Sequence, residues 1–135
     1  MSILSAIVPL PVGGLLLRVA VMTAALIPYL YYGVKDGIYH FTGRKVSLVE
    51  HILHALVAIT LTAAIACAYR GYAVRFVIGI GCFLFVGAAD EYIYHRGLPE
   101  TESNLHAKEH LALFIFVMVS LTIIWLEDHH WQISW

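Results

Sequence analysis

The chain has 135 residues and a formal net charge of −1; 61% of its residues are apolar and only 13% are charged, giving a mean hydropathy of +0.81. Water-soluble domains are about half apolar and about a quarter charged, so this composition excludes an ordinary soluble domain and fits lipid-facing helices. The near-neutral balance supplies no field that would gather nucleic acid.

The predicted elements follow in chain order, within a single transmembrane domain spanning 1–135. The first residues, Met1 to Gly14, are apolar, hold Pro9 and Pro11, and lack an early Lys or Arg. A secretory signal opens on a basic stretch, so this segment reads as retained, along the interface or leading into the first helix. A bilayer core of about 30 Å needs about 20 apolar residues in helical form, and four stretches qualify. The first runs from about Leu15 to His40, with Pro28 as a kink site and Gly43 as a stop. The second, about Ser47 to Tyr69, opens with Ser47 and Glu50 at the spacing of a capping box. The third runs from about Tyr72 to His95, ended by Gly97 and Pro99, and the fourth from about Ser103 to Glu127. Short loops predict that helices adjacent in sequence are antiparallel neighbours in space. The expected fold is all-α, an integral membrane four-helix bundle built from two repeated helical hairpins.

Four spans put the first and third loops on one side. Lys35, Arg44, Lys45, Arg96 and Lys108 lie there, against Arg18, Arg70 and Arg75 at the other end. The positive-inside rule then places those two loops in the cytoplasm. Cys67 and Cys82 fall inside apolar stretches and read as small core residues, not as a disulfide framework.

The acidic and imidazole groups are far more lopsided. Asp36, Glu50, Asp90, Glu91, Glu100, Glu102 and Glu109 lie at the end bearing the first and third loops, with His40, His51, His54, His95, His106 and His110. They also repeat. Asp36 precedes His40 by four residues, as Glu91 precedes His95. After each turn comes a second pair at that spacing, Glu50 and His54, then His106 and His110. The offsets are 55 and 56 residues. Residues four apart share a helix face, about 6 Å apart along the axis. Two layers are therefore expected: Asp36, His54, Glu91 and His110 deep, and His40, Glu50, His95 and His106 nearer the loops.

Carboxylates and imidazoles at membrane depth are costly unless paired or coordinated. A divalent metal is the simplest single partner for these eight residues, and two layers predict two ions. Mixed imidazole and carboxylate ligands suit iron first, with zinc and manganese as alternatives. The pattern departs from the Glu-x-x-His signature of ferritin-like bundles. His51-x-x-His54 and His106-x-x-x-His110 are reminiscent of pieces of the His boxes of membrane desaturases, but the full set is missing, so the likeness is one of chemistry alone.

Several residues carry a second reading. Glu50 can cap its helix, act as a ligand, or serve as a catalytic base; Glu109 can bridge metals or act as base. His51 can be a spare ligand, an orienting donor or a surface group. Asp90 can orient a ligating His or pair with Arg96, and Glu102 can complement the helix dipole. Tyr39 and Tyr94 fit an aromatic belt, and His129 and His130 a solvated tail. The function expected first is a membrane oxidoreductase with a di-iron centre acting on a lipid or other apolar substrate, with a redox partner. A zinc-dependent membrane hydrolase, a metal transporter or metal-handling protein, and a b-type haem electron-transfer protein are the alternatives. Oligomers are compatible with each.

Overall fold

A computed structural model describes residues 12–43, 45–94 and 99–130. Four helices make it up: α1, Val12–Gly43; α2, Leu48–Tyr69; α3, Ala73–Tyr94; and α4, Glu100–His130. The described residues hold no strand, so the expected all-α four-helix bundle is what forms. Of the segment read as a retained leader, residues 1–11 lie outside the described residues, as does His95.

The helix limits have local causes. Ser47 accepts from the Glu50 amide at 3.2 Å and the Glu50 carboxylate reaches back to the Ser47 amide, completing the predicted capping box. The α2–α3 turn closes on two bonds: the Gly71 amide donates to the Ala68 carbonyl and the Tyr72 amide to that of Cys67. This is the double closure of a Schellman ending. α4 begins at Glu100, three residues before the expected start at Ser103. The Ser103 amide donates to the Pro99 carbonyl at 2.9 Å, so the proline read as ending the third helix also launches the fourth. Glu100 and Glu102 then fall in the first turn, where the helix dipole favours anions. α1 runs unbroken through Pro28.

All four helices are long and apolar enough to cross a membrane. At 1.5 Å per residue, the 22 residues of α2 and of α3 each span about 33 Å, close to the hydrocarbon thickness. Large apolar side chains cover the outside, among them Leu17, Ile27, Ile59, Val74 and Phe85. Polar groups are turned inward at one end. The structure supports an integral, multi-pass membrane protein.

The packing bears out the expected α2–α3 neighbours and corrects the expectation for α1 with α2 and for α3 with α4. The tightest pairs are α2 with α3 and α1 with α4, each joining one helix from either half of the chain, with α2 touching α4 more lightly. α1 and α2 are instead parted by a cleft. Small residues explain the α2–α3 pair: a Cβ built on Gly79 would lie 2.9 Å from the Ala64 Cβ, so these backbones meet without side chains between them, as membrane helices favour. The middle of the bundle is closed by Met22, Leu61, Phe76, Phe83, Leu113 and Phe116.

Burial reveals the internal repeat in a different register from the one the spacing suggested. Glu50 and Glu102, Leu61 and Leu113, Ala64 and Phe116, and Ala68 and Ser120 are all buried, each pair 52 residues apart. Met22 and Phe76, and Asp36 and Asp90, are likewise buried and 54 apart. Exchanging the halves turns the α1–α4 pair into the α3–α2 pair, which is why those two are the tight ones. Asp36 thus corresponds to Asp90 and not to Glu91. Adjacent helix positions face about 100° apart, and Asp90 takes the inward one.

Gly79→Ala is expected to lower the unfolding temperature in detergent, corresponding to about 1–3 kcal/mol of overpacking. Gly81→Ala should not lower it, because the added methyl meets nothing within 4 Å.

Candidate metal centre

The first half of the site grows from the α1 end and the α2 start. The His40 Nδ1–H donates to the Asp36 carbonyl at 3.0 Å, one turn back, and lies 3.3 Å from the Asp36 carboxylate. That bond directs Nε2 inward, where it is 3.6 Å from Glu102. A histidine held through one nitrogen presents the other as a ligand atom, the usual disposition at metal sites. The His54 ring packs edge-on to His40 at 5.2 Å between centroids, and its Nε2 lies 3.1 Å from Asp90. Glu50 is 1% exposed and sits beside both histidines. His40, Glu50 and His54 can each direct one ligand atom to within 4.8 Å of the others.

The second half grows from α4. His106 Nδ1 lies 3.4 Å from Asp36 and 3.9 Å from Glu109, while its Nε2 lies 3.0 Å from Glu91. Asp36, His106 and Glu109 form a group of the same tightness, and Glu91, His106 and His110 form a third. The first has two buried members and the second one, the others being partly buried. The third faces outward, with the Glu91 side chain about half exposed at 49%.

The described groups cut across the two expected layers. Asp36 groups with His106 and Glu109, and His54 with His40 and Glu50, so each group draws on both expected levels. The repeat accounts for this. Glu50 and His54 correspond to Glu102 and His106, so the contact of His54 with Asp90 is the image of the contact of His106 with Asp36. Of the eight residues expected as ligands, Asp36, His40, Glu50, His54, Glu91, His106 and His110 fall in these groups. The eighth, His95, lies outside the described residues.

Spacing undervalued two buried carboxylates and missed a tyrosine. Glu102, read as a dipole residue, is 1% exposed and backs His40. Its signal was available, since it precedes His106 by four residues. Asp90 is buried against His54, one of its two expected roles. The Tyr29 ring lies beside Glu109, and Gly33 admits that carboxylate, whose Oε1 would lie 3.2 Å from a Cβ there. These residues sit mid-helix on α1 and meet Glu109 only through the α1–α4 packing, so no local spacing announces them. Two cations are placed elsewhere. At the far end Arg18 holds Glu127 at 2.9 Å and donates to the Tyr69 carbonyl, and Lys35 stacks on the Tyr31 ring.

These are His and carboxylate groups that could hold a metal ion. No protein-family model, curated protein or solved structure matches the chain.

The capping role of Glu50 and its expected role as a ligand separate by substitution. Ser47→Ala removes the cap and should cost about 0.5–2 kcal/mol of stability, measured by thermal unfolding, while leaving bound metal unchanged. Glu50→Gln keeps a capping-box side chain and should instead reduce the metal retained after dialysis.

Proposed function

We propose that the chain is a membrane metalloprotein holding two divalent ions, iron first, with zinc or manganese as the alternatives, and that it acts as an oxidoreductase on a lipid or other apolar substrate. The observation that carries this reading is Asp36. Its carboxylate lies 3.3 Å from His40 and 3.4 Å from His106, so one acid side chain joins two neighbouring His/carboxylate groups. A carboxylate common to two groups keeps them as close as a pair of ions about 3.5–4 Å apart requires.

Each ion has its own protein groups in this reading. His40, Glu50 and His54 would hold one and Asp36, His106 and Glu109 the other, with Asp36 also steadying His40 from its Nδ1 side. Asp90 and Glu91 orient His54 and His106 through hydrogen bonds, which raise ligand basicity. Glu91 and His110 flank the centre from outside. Bound ions would supply Lewis acidity and, for iron, electrons. The protein supplies exclusion of water by the apolar core beneath, and proton handling by Glu109 with Tyr29. Glu50, spanned by a cap and two histidines, suits a ligand better than a base.

Closure of the mid-bundle by Phe76, Phe83 and Phe116 favours an end-on site over a path for ions across a single copy. A zinc hydrolase is the second reading, favoured by the place of Glu109 beside His106, where a base would act on a metal-bound water. The cluster end is assigned to the cytoplasmic side by the loop charges, within reach of a soluble redox partner.

Elemental analysis of protein purified without a histidine tag tests the reading. Two equivalents of metal per chain are expected, and His54→Ala and His106→Ala should each lower both together. Chains without stoichiometric metal in any preparation would sink it.

A further inference from the structure

The cleft between α1 and α2 has a volume of about 740 Å³, within the range of ligand pockets. Its walls include Leu30 and Val34 from α1, and Ala58, Leu61 and Ile65 from α2. At the loop end it is bounded by Asp36, His40, His51 and His54, and Glu109 also lines it. The cleft is therefore most polar toward the loop end, keeps Glu109 and Tyr29 deeper along α1, and is mostly apolar along the α2 wall from Ala55 to Ile65. From His51 to Ile65 it follows α2 for about 21 Å, and from Tyr29 to His40 it follows α1 for about 16 Å. Half the hydrocarbon thickness is about 15 Å. The dimensions and polarity are those of one lipid chain in one leaflet, standing the way lipids already stand.

Size and charge narrow the occupant. Among the described residues lining the cleft there is no Lys or Arg, while Asp36 and Glu109 are acidic. Its size admits one hydrocarbon chain and a small head, not the two chains and bulky head of a phospholipid. The lining suits a small oxygen-bearing head that accepts from or donates to imidazole and carboxylate.

The internal repeat gives an independent argument. In the other half, the positions corresponding to Tyr29 and Glu109 are Phe83 and Val57, and that of His40 is Tyr94. Bundle packing alone tolerates apolar side chains at the first two places. Tyr29 and Glu109 thus add polar groups to the cleft that the repeat does not require, alongside apolar Val57.

We infer that this cleft binds a lipid with a single long hydrocarbon chain and an uncharged hydroxyl or carbonyl head, which enters sideways from the bilayer and places its head beside His54 and Glu109. The inference rests on the proposed function and names its substrate class. The chain seats along Leu61 and Ile65; the head stops at the polar rim, next to the groups assigned to the ions.

Photocrosslinking tests this with two probes in lipid nanodiscs: hexadecanol carrying a mid-chain diazirine, and a phosphatidylcholine carrying the same group on one chain. Hexadecanol should label the α2 segment from Ala55 to Thr62. Ala58→Trp and Ala55→Trp, each filling the cleft, should lower that labelling about tenfold, and Leu84→Trp on the exposed face of α3 should not. Thermal unfolding verifies that each variant is folded. Equal labelling in folded Ala58→Trp and wild type would overturn the inference, as would equal labelling of that segment by phosphatidylcholine. Cleft labelling in a chain that never retains metal would sink the metal reading alone. Stoichiometric metal without cleft labelling would sink this inference alone.

Discussion

The structure depends on the cost of placing charge below a membrane surface. A carboxylate or imidazole in the hydrocarbon layer loses its water, and the loss is tolerable only where another polar group or an ion replaces it. Here Asp36, His40, Glu50, Asp90 and Glu102 are buried together at one end of the bundle. None is placed against lipid. They face each other because four helices each contribute at least one, and that requirement sets the register in which the helices meet.

The same requirement explains the choice of tight pairs. His54 against Asp90 joins α2 to α3, and His106 against Asp36 joins α4 to α1. These are the two pairs that also pack most closely along their length, helped by Gly79 against Ala64 in one of them. Between α1 and α2, which meet through His40, Glu50 and His54 toward the loop end, a cleft remains. Packing and site are thus one arrangement: the contacts that satisfy the buried groups also decide where an apolar ligand has room.

Much of this was legible in the sequence. Hydropathy and length gave four spans, and Ser47 with Glu50 gave the start of α2. The four-residue spacing of acid and histidine marked the right helix ends, because that spacing alone keeps both groups on one face. What spacing could not resolve was rotation between helices. Asp90 and Glu91 are adjacent and chemically alike, and only packing turns Asp90 inward. Glu102 looked like a residue placed for the dipole because its neighbours Glu100 and Pro99 belong to a helix start. Tyr29 lies beside Glu109 across the α1–α4 interface, and tertiary contacts of that kind leave no local pattern.

In the proposed function Asp36 links two His/carboxylate groups, as ligand in one and as support of His40 in the other, into one metal centre. X-ray absorption on metal-loaded protein tests it most directly. The account predicts nitrogen and oxygen ligands, no sulfur, and a metal–metal distance of about 3.5–4 Å, lost in Asp36→Ala. Isolated ions without a neighbouring metal, or a metal–metal distance that survives Asp36→Ala, would contradict it.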